Sequence, residues 1–208
     1  MDKEPKIGLP TKKLLNLSDS VFGVAMTILI LNITVPVLSM FNQEQLTNEL
    51  IKLWPKALVY GSSVFVIGVF WIAFQILFTY IQVVNIRLMI MNTILLMGIC
   101  FIPFAANLIS TYPWRLPSSL IYGTTLFVTS AFYLFIWIYA LKQKLVVDNL
   151  SESFIKKATL IVAGAPLLYL LATLTAFINP RISFFIFIII PILYILPSPV
   201  DDLLPKEE

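Results

Sequence analysis

The sequence has no histidine and a single cysteine, Cys100, and only 12% of its 208 residues are charged. Without histidine, the commonest general acid–base group and metal ligand is missing, and one cysteine cannot build a disulfide framework. The seven glycines form no GxG pair, and no Walker A, GxSxG or HExxH pattern occurs. The sequence therefore predicts no enzyme, no bound metal or cofactor, and no glycine-rich ion filter lined by carbonyl groups.

Apolar residues dominate instead, at 59% of the chain, with a mean hydropathy of +0.93. So few charges cannot cover a water-exposed surface, since soluble domains are about one quarter charged. Six windows carry no charge at all: residues 20–43, 57–86, 88–114, 116–141, 158–180 and 182–200. A helix needs about 20 residues to cross a bilayer, and these runs lack the alternation of barrel strands.

The predicted fold class is an all-α integral membrane protein with six transmembrane helices. Residues 1–208 are predicted to form a single six-helix domain, with spans at residues 12–36, 55–82, 87–110, 117–141, 156–178 and 182–196. Between the first two spans, Leu46, Leu50 and Ile51 recur at helical spacing within a polar segment. This pattern predicts an amphipathic turn that lies at the membrane interface.

The distribution of lysine and arginine predicts the orientation. If both termini are cytoplasmic, only four of the 14 basic residues lie outside: Lys52, Lys56, Arg115 and Arg181. The other ten lie inside, as the positive-inside rule requires. The net charge of +3 then reflects topology, and no nucleic acid partner is predicted.

Asp19 is the only acidic residue within a predicted span, and two interpretations fit it. In the first, Asp19 caps the N-terminus of the first helix, where a carboxylate accepts bonds from free N–H groups. In the second, it lies one to two turns inside the helix and pairs with polar groups of neighbouring helices. Lys13, six residues earlier, is a possible local partner.

Val24, Thr27 and Leu31 share one face of the first predicted helix, and Ile28 borders that face. Plain packing or lipid contact explains most such apolar faces. Alternatively, symmetry-related copies of this helix line a pore, with apolar rings that gate by dewetting and a threonine ring that touches the ion. Periodicity alone does not choose between these interpretations.

Several motifs occur in a characteristic order: Ser18-Asp19, Thr27 eight residues after Asp19, a closing Val35-Pro36, Trp71 in the second span, and Asn92 followed by Ile102-Pro103-Phe104 in the third. This order resembles the transmembrane protein 175 family, which comprises a lysosomal potassium channel and shorter prokaryotic relatives. The resemblance covers most of the chain. Lys13 and Leu17 stand where the family has arginine and phenylalanine, and the family's paired histidines align near Phe74 and Gln75.

The resemblance implies a homotetramer in a prokaryotic inner cell membrane, in contact with lipid, with helix one of each chain lining a central pore. The pore-lining and gate positions would be Val24, Thr27, Ile28 and Leu31, and a potassium ion would pass transiently near Thr27. A polar network near the cytoplasmic mouth would comprise Lys13, Ser18, Asp19, Trp71 and Asn92. The implied function is a potassium-permeable cation channel with a hydrophobic constriction.

The main alternative is a secondary transporter of a small solute. Such a protein is expected to have internal pseudo-symmetry, broken helices and a polar site at the membrane midplane. Only Gln75, Gln82 and Asn92 are candidates for that site. A structural, lipid-organising membrane protein is a third possibility.

Overall fold

The computed structural model describes residues 11–37, 42–148 and 150–195. Residue 196, where the last predicted span ends, falls outside these ranges. The fold is all-helical, as predicted, and an isolated β-bridge pairs Ile81 with Val146. The helices are α1 (Thr11–Ile28), α2 (Gln43–Lys52), α3 (Trp54–Thr79), α4 (Ile86–Thr111), α5 (Leu116–Lys142), α6 (Glu152–Thr175) and α7 (Pro180–Ile195).

Five helical stretches are long and apolar enough to cross a membrane: Thr11–Asn32, α3, α4, α5 and α6. The first of these is α1 continued by a 3₁₀ turn at Leu29–Asn32. The sixth apolar helix, α7, has 16 residues and is shorter than the roughly 20 that a perpendicular crossing needs. The described chain therefore offers five full-length candidate spans and one shorter candidate.

The polar segment between the first two spans does contain a helix, α2. Its N-terminus is capped by Asn42, whose side-chain oxygen accepts hydrogen bonds from the amides of Glu44 and Gln45 at 2.9 and 3.4 Å. Leu50 and Ile51 are exposed on its apolar side. An amphipathic helix with an unpacked apolar side suits a membrane interface, and that location stays a prediction.

A short backbone pairing ties the α3–α4 connection to the α5–α6 connection. The amides of Gln82 and Val83 donate to the Leu145 carbonyl at 3.0 and 3.3 Å, and the Val147 amide donates to the Tyr80 carbonyl at 3.0 Å. Burial raises the pKa of the Tyr80 phenol in this pairing. These bonds hold four helix ends together at one end of the bundle.

Side chains of α7 contact the turn between α4 and α5. Trp114 has a φ of 66°, an uncommon conformation for a bulky residue. The Arg181 guanidinium lies 5.7 Å from the centre of the Trp114 ring, a cation–π distance, and Phe184 meets the same ring edge-on at 5.5 Å. These contacts attach α7 to the turn before α5.

Candidate functional site

α1 has one buried face and one exposed face. The buried face comprises Leu14, Ser18, Phe22 and Ala25, and Leu29 continues it into the 3₁₀ turn. These positions are three or four residues apart, which places them on one side of a helix. Their neighbours are α3 and α4, against which α1 packs. The opposite face has no contact that buries it within the described part of the chain.

The four predicted gate positions lie on this exposed face. Val24 is 55% exposed, Leu31 is 72% exposed and Ile28 is 44% exposed, and Thr27 is also exposed. The same row extends towards the start of α1 through Ser20, Leu17 and Lys13, again at intervals of three or four residues. We call Lys13, Leu17, Ser20, Val24, Thr27 and Leu31 the α1 row.

Within the α1 row, the Thr27 hydroxyl donates a hydrogen bond to the Val24 carbonyl at 2.9 Å. The hydroxyl proton is therefore engaged in a hydrogen bond within α1. A hydroxyl oxygen has two acceptor lone pairs, and these stay available to a cation or water. The geometry therefore suits weak coordination of a cation by the Thr27 oxygen.

Asp19 joins α1 to α3. Its Oδ1 atom accepts hydrogen bonds from Trp71 Nε1 at 2.9 Å and from Gln75 Nε2 at 2.6 Å. Trp71 and Gln75 are four residues apart, so both side chains leave the same face of α3. The N-cap interpretation of Asp19 is wrong, because α1 begins eight residues earlier at Thr11. The second interpretation, pairing with a neighbouring helix, is correct.

Ser18 joins α1 to α4 in the same way. Asn92 Nδ2 donates to Ser18 Oγ at 3.1 Å, and Ser18 Oγ donates in turn to the Leu14 carbonyl at 2.9 Å. Ser18 is fully buried and Asn92 is 1% exposed. Asn92 Oδ1 has no hydrogen-bond partner among the described residues. Two adjacent residues of α1 thus hold its buried side against two different helices.

Lys13 is not brought together with the other residues of the predicted network in the described structure of one chain. Six residues separate it from Asp19, which is a rotation of about 240° on an α-helix. The two side chains therefore leave α1 in different directions, and Lys13 forms no ion pair with Asp19 in the described structure. Lys13 belongs instead to the exposed α1 row.

Two further contacts of this region are not predicted by the sequence. Gln75 is a direct partner of Asp19, and its spacing from Trp71 is the signal that could have suggested it. Asn32 Nδ2 donates to the Pro103 carbonyl of α4 at 3.3 Å and anchors the far end of the 3₁₀ turn. No group of three or more Cys, Asp or Glu side chains that could hold a metal ion comes together within the described ranges.

Comparison with known proteins agrees with this arrangement. A family model described as "Endosomal/lysosomal potassium channel TMEM175" matches residues 13–103, the part of the chain that contains the α1 row and the Asp19 and Ser18 contacts. A potassium channel of Chamaesiphon minutus is 26% identical over 185 residues, which cover 87% of this chain and 91% of that protein. A potassium channel of Streptomyces collinus is 34% identical over 95 residues, or 46% of this chain and 45% of the relative.

Solved structures give the same result. The crystal structure of a lysosomal potassium-selective channel TMEM175 homolog from Chamaesiphon minutus superimposes with a TM-score of 0.80 at 25% identity, covering 89% of this chain and 96% of that one. A variant of the potassium channel MtTMEM175, crystallised in complex with a nanobody–MBP fusion protein, has a TM-score of 0.63 and 19% identity over 97% of both chains, a likeness of fold alone. All of these proteins are described as potassium channels. The chain is therefore similar to potassium channels of the TMEM175 family, in sequence over residues 13–103 and in fold over most of its length.

Proposed function

We propose that the chain forms a homotetrameric, potassium-permeable cation channel in the cell membrane, with four copies of α1 around the pore axis. The observation that carries the proposal is the exposed α1 row. Its residues are unpacked in one chain, although the opposite face of the same helix is held by Asp19 and Ser18. A helix that is held to its own chain on one side and exposed on the other can pack against copies of itself in an oligomer.

The α1 row also has the chemistry of a conducting surface. Val24 and Leu31 would form two apolar rings, and narrow apolar rings oppose ion passage because water leaves them. Thr27 lies between these rings, where its oxygen would replace part of the hydration shell of a passing cation. The only metal involved is the permeant ion itself, and no cofactor is required.

Apolar rings discriminate weakly between dehydrated cations, so we expect only a modest preference for potassium over sodium. The absence of a glycine-rich filter from the sequence supports this expectation. Both termini would be cytoplasmic, because that orientation places ten of the 14 basic residues inside.

The transporter alternative receives no support from the polar side chains that it would need. Gln75 binds Asp19 and Asn92 binds Ser18, so both are engaged in holding α1. The Gln82 side chain is exposed near the end of α3, and its carbonyl accepts from Thr11 at 3.2 Å. The three candidates therefore do not converge on one solute.

The decisive experiment measures potassium or rubidium flux into liposomes that contain the purified protein. Wild type is compared with Leu31→Ala, which shortens the most exposed of the large apolar side chains in the α1 row, and with Leu160→Ala, a similarly exposed leucine of α6. We expect wild type and Leu160→Ala to conduct alike and Leu31→Ala to conduct several times faster. If neither wild type nor Leu31→Ala passes either ion under a gradient, the channel proposal fails.

Oligomeric state gives an independent check. One helix of one chain cannot enclose a pore, so the purified protein in mild detergent should have the mass of a tetramer. A stable monomer that still transported a solute would contradict the proposal.

A further inference from the structure

A cavity of about 90 Å³ lies between α3, α5, α6 and α7, away from α1. Two aromatic pairs connect the α3 side of the cavity with α6. Tyr80 meets Phe154 at 5.0 Å, and Phe70 meets Tyr169 at 6.0 Å. Between these contacts the lining includes three small residues, Ala73 of α3 with Ala158 and Ala165 of α6. Small side chains between two aromatic pairs leave the space unfilled.

The cavity is almost entirely apolar. None of the described residues that line it is charged. A carboxylate or an ammonium group would therefore be desolvated there without a counter-charge, at high cost. Because α3, α5 and α6 are candidate membrane spans, ligands would reach the cavity from the lipid phase. Its chemistry thus selects neutral, lipophilic molecules.

Tyr169 differs from four other polar residues that line the cavity. Those four form hydrogen bonds within the protein: Tyr133 to the Phe70 carbonyl, Trp137 to Thr159, Ser130 to the Phe127 carbonyl and Tyr194 to the Ile161 carbonyl. Tyr169 is only 3% exposed, and its hydroxyl has no hydrogen bond to any described residue. Because this hydroxyl can donate towards the cavity, a ligand oxygen at this position would be stabilised by a hydrogen bond.

We propose that this cavity binds a neutral lipophile with an apolar chain and one hydrogen-bonding oxygen, which accepts a bond from the Tyr169 hydroxyl. The cavity is smaller than one of about 150 Å³ that holds benzene, so it admits a chain end of a few carbon atoms. The rest of the molecule extends into the lipid. This binding is independent of ion conduction and of the α1 row.

The test uses 1-octanol that carries a diazirine, added to full-length protein in liposomes and activated by light. Labelled peptides are then mapped by mass spectrometry. We expect labels on cavity-lining residues of α3 and α6, and unlabelled 1-octanol should compete better than octane at the same mole fraction in the membrane. Labels confined to exposed lipid-facing residues, or a signal that octanol does not displace, would overturn the proposal.

Three variants sharpen the result. Tyr169→Phe removes only the hydroxyl, and we expect it to weaken octanol competition on the order of fivefold and to abolish the advantage over octane. Ala158→Leu and Ala165→Leu each fill the cavity and should abolish the label there, and Leu160→Ala on the exposed side of α6 should leave it unchanged. All variants are first checked for the wild-type size-exclusion profile. Unchanged octanol preference in Tyr169→Phe, or cavity labelling that persists in a folded filling variant, would contradict the assignment.

Discussion

Trp71 Nε1 donates a hydrogen bond to Asp19 Oδ1 at 2.9 Å, and this contact joins the one carboxylate of α1 to α3. Gln75 donates to the same oxygen. Hydrogen bonds to a carboxylate are charge-assisted and are stronger than neutral ones. Asp19 therefore determines how α1 sits against the rest of its own chain, and with it the direction in which the α1 row points.

We expect Asp19→Ala to lower the stability of the protein by about 1–3 kcal/mol, because two donors lose their acceptor. Asp19→Asn keeps an acceptor oxygen and should cost less. The measurement is thermal unfolding in mild detergent. Glu49→Ala is the control, since its ion pair with Lys52 at 2.6 Å lies on the surface of α2 and should contribute below about 1 kcal/mol. Equal losses for Asp19→Ala and Glu49→Ala would argue against a structural role of Asp19.

Helix packing around Gly123 supplies a second prediction. A Cβ atom added there would overlap Thr173 Oγ1 of α6 and come within 2.6 Å of Phe187 Cζ of α7. Because both neighbours are buried, Gly123→Ala should destabilise the protein by about 1–3 kcal/mol. Gly61→Ala is the matched control, with nothing within 4 Å of the added atom. There the higher helix propensity of alanine should leave stability unchanged or slightly higher. A Gly123→Ala protein that unfolds at the wild-type temperature would show that α6 and α7 do not pack on α5 this closely.

Much of the fold is predictable because the bilayer constrains it so strongly. Windows without charge mark the helices, and the Ser18-Asp19 motif with Trp71 and Asn92 marks the contacts of α1. The place of Asp19 within α1 is harder to predict. A Ser-Asp-Ser sequence has the chemistry of an N-cap. In the structure, however, α1 begins at Thr11, and Leu14 and Ser18, four residues apart, are already buried on one face before Asp19 is reached.

Other features depend on packing that no local pattern specifies. Gln75 reaches Asp19 because of the register between α1 and α3, which sequence periodicity does not contain. The cavity beside Tyr169 depends on which small residues of α3 and α6 happen to face each other. The motif suggests that Lys13 lies near Asp19, but the helical rotation between them places Lys13 in the α1 row instead.

Thr27 allows the proposed ion contact to be tested. Thr27→Val removes the only hydroxyl between Val24 and Leu31 while keeping the side-chain shape, so we expect potassium flux to fall on the order of fivefold. Thr27→Ser restores an oxygen and should recover most of the flux. Thr93→Val is the control, because Thr93 of α4 is likewise exposed and donates to a carbonyl of its own helix at 3.0 Å. Equal fluxes for Thr27→Val and Thr93→Val would exclude a contact between Thr27 and the ion.

Lys13 provides the last prediction, through its place in the α1 row. In a tetramer with α1 around the axis, four copies of Lys13 would form a ring of positive charge one helical turn before Leu17. Such a ring lowers the local concentration of cations at the cytoplasmic mouth. At about 0.1 M salt, where the Debye length is about 10 Å, neutralising the ring should raise outward potassium conductance on the order of threefold.

The measurement is single-channel recording of Lys13→Gln in planar bilayers, at about 0.1 M and about 1 M KCl. Lys12→Gln is the matched control, because Lys12 carries the same charge and is equally exposed, but it points about 100° away from Lys13 around the helix. At the higher concentration the screening length falls to about 3 Å, so the difference between Lys13→Gln and wild type should largely disappear. A gain that persists in the concentrated salt would indicate a change in pore shape instead of charge. Equal gains in conductance from Lys13→Gln and Lys12→Gln would mean that the α1 row does not face the ion pathway.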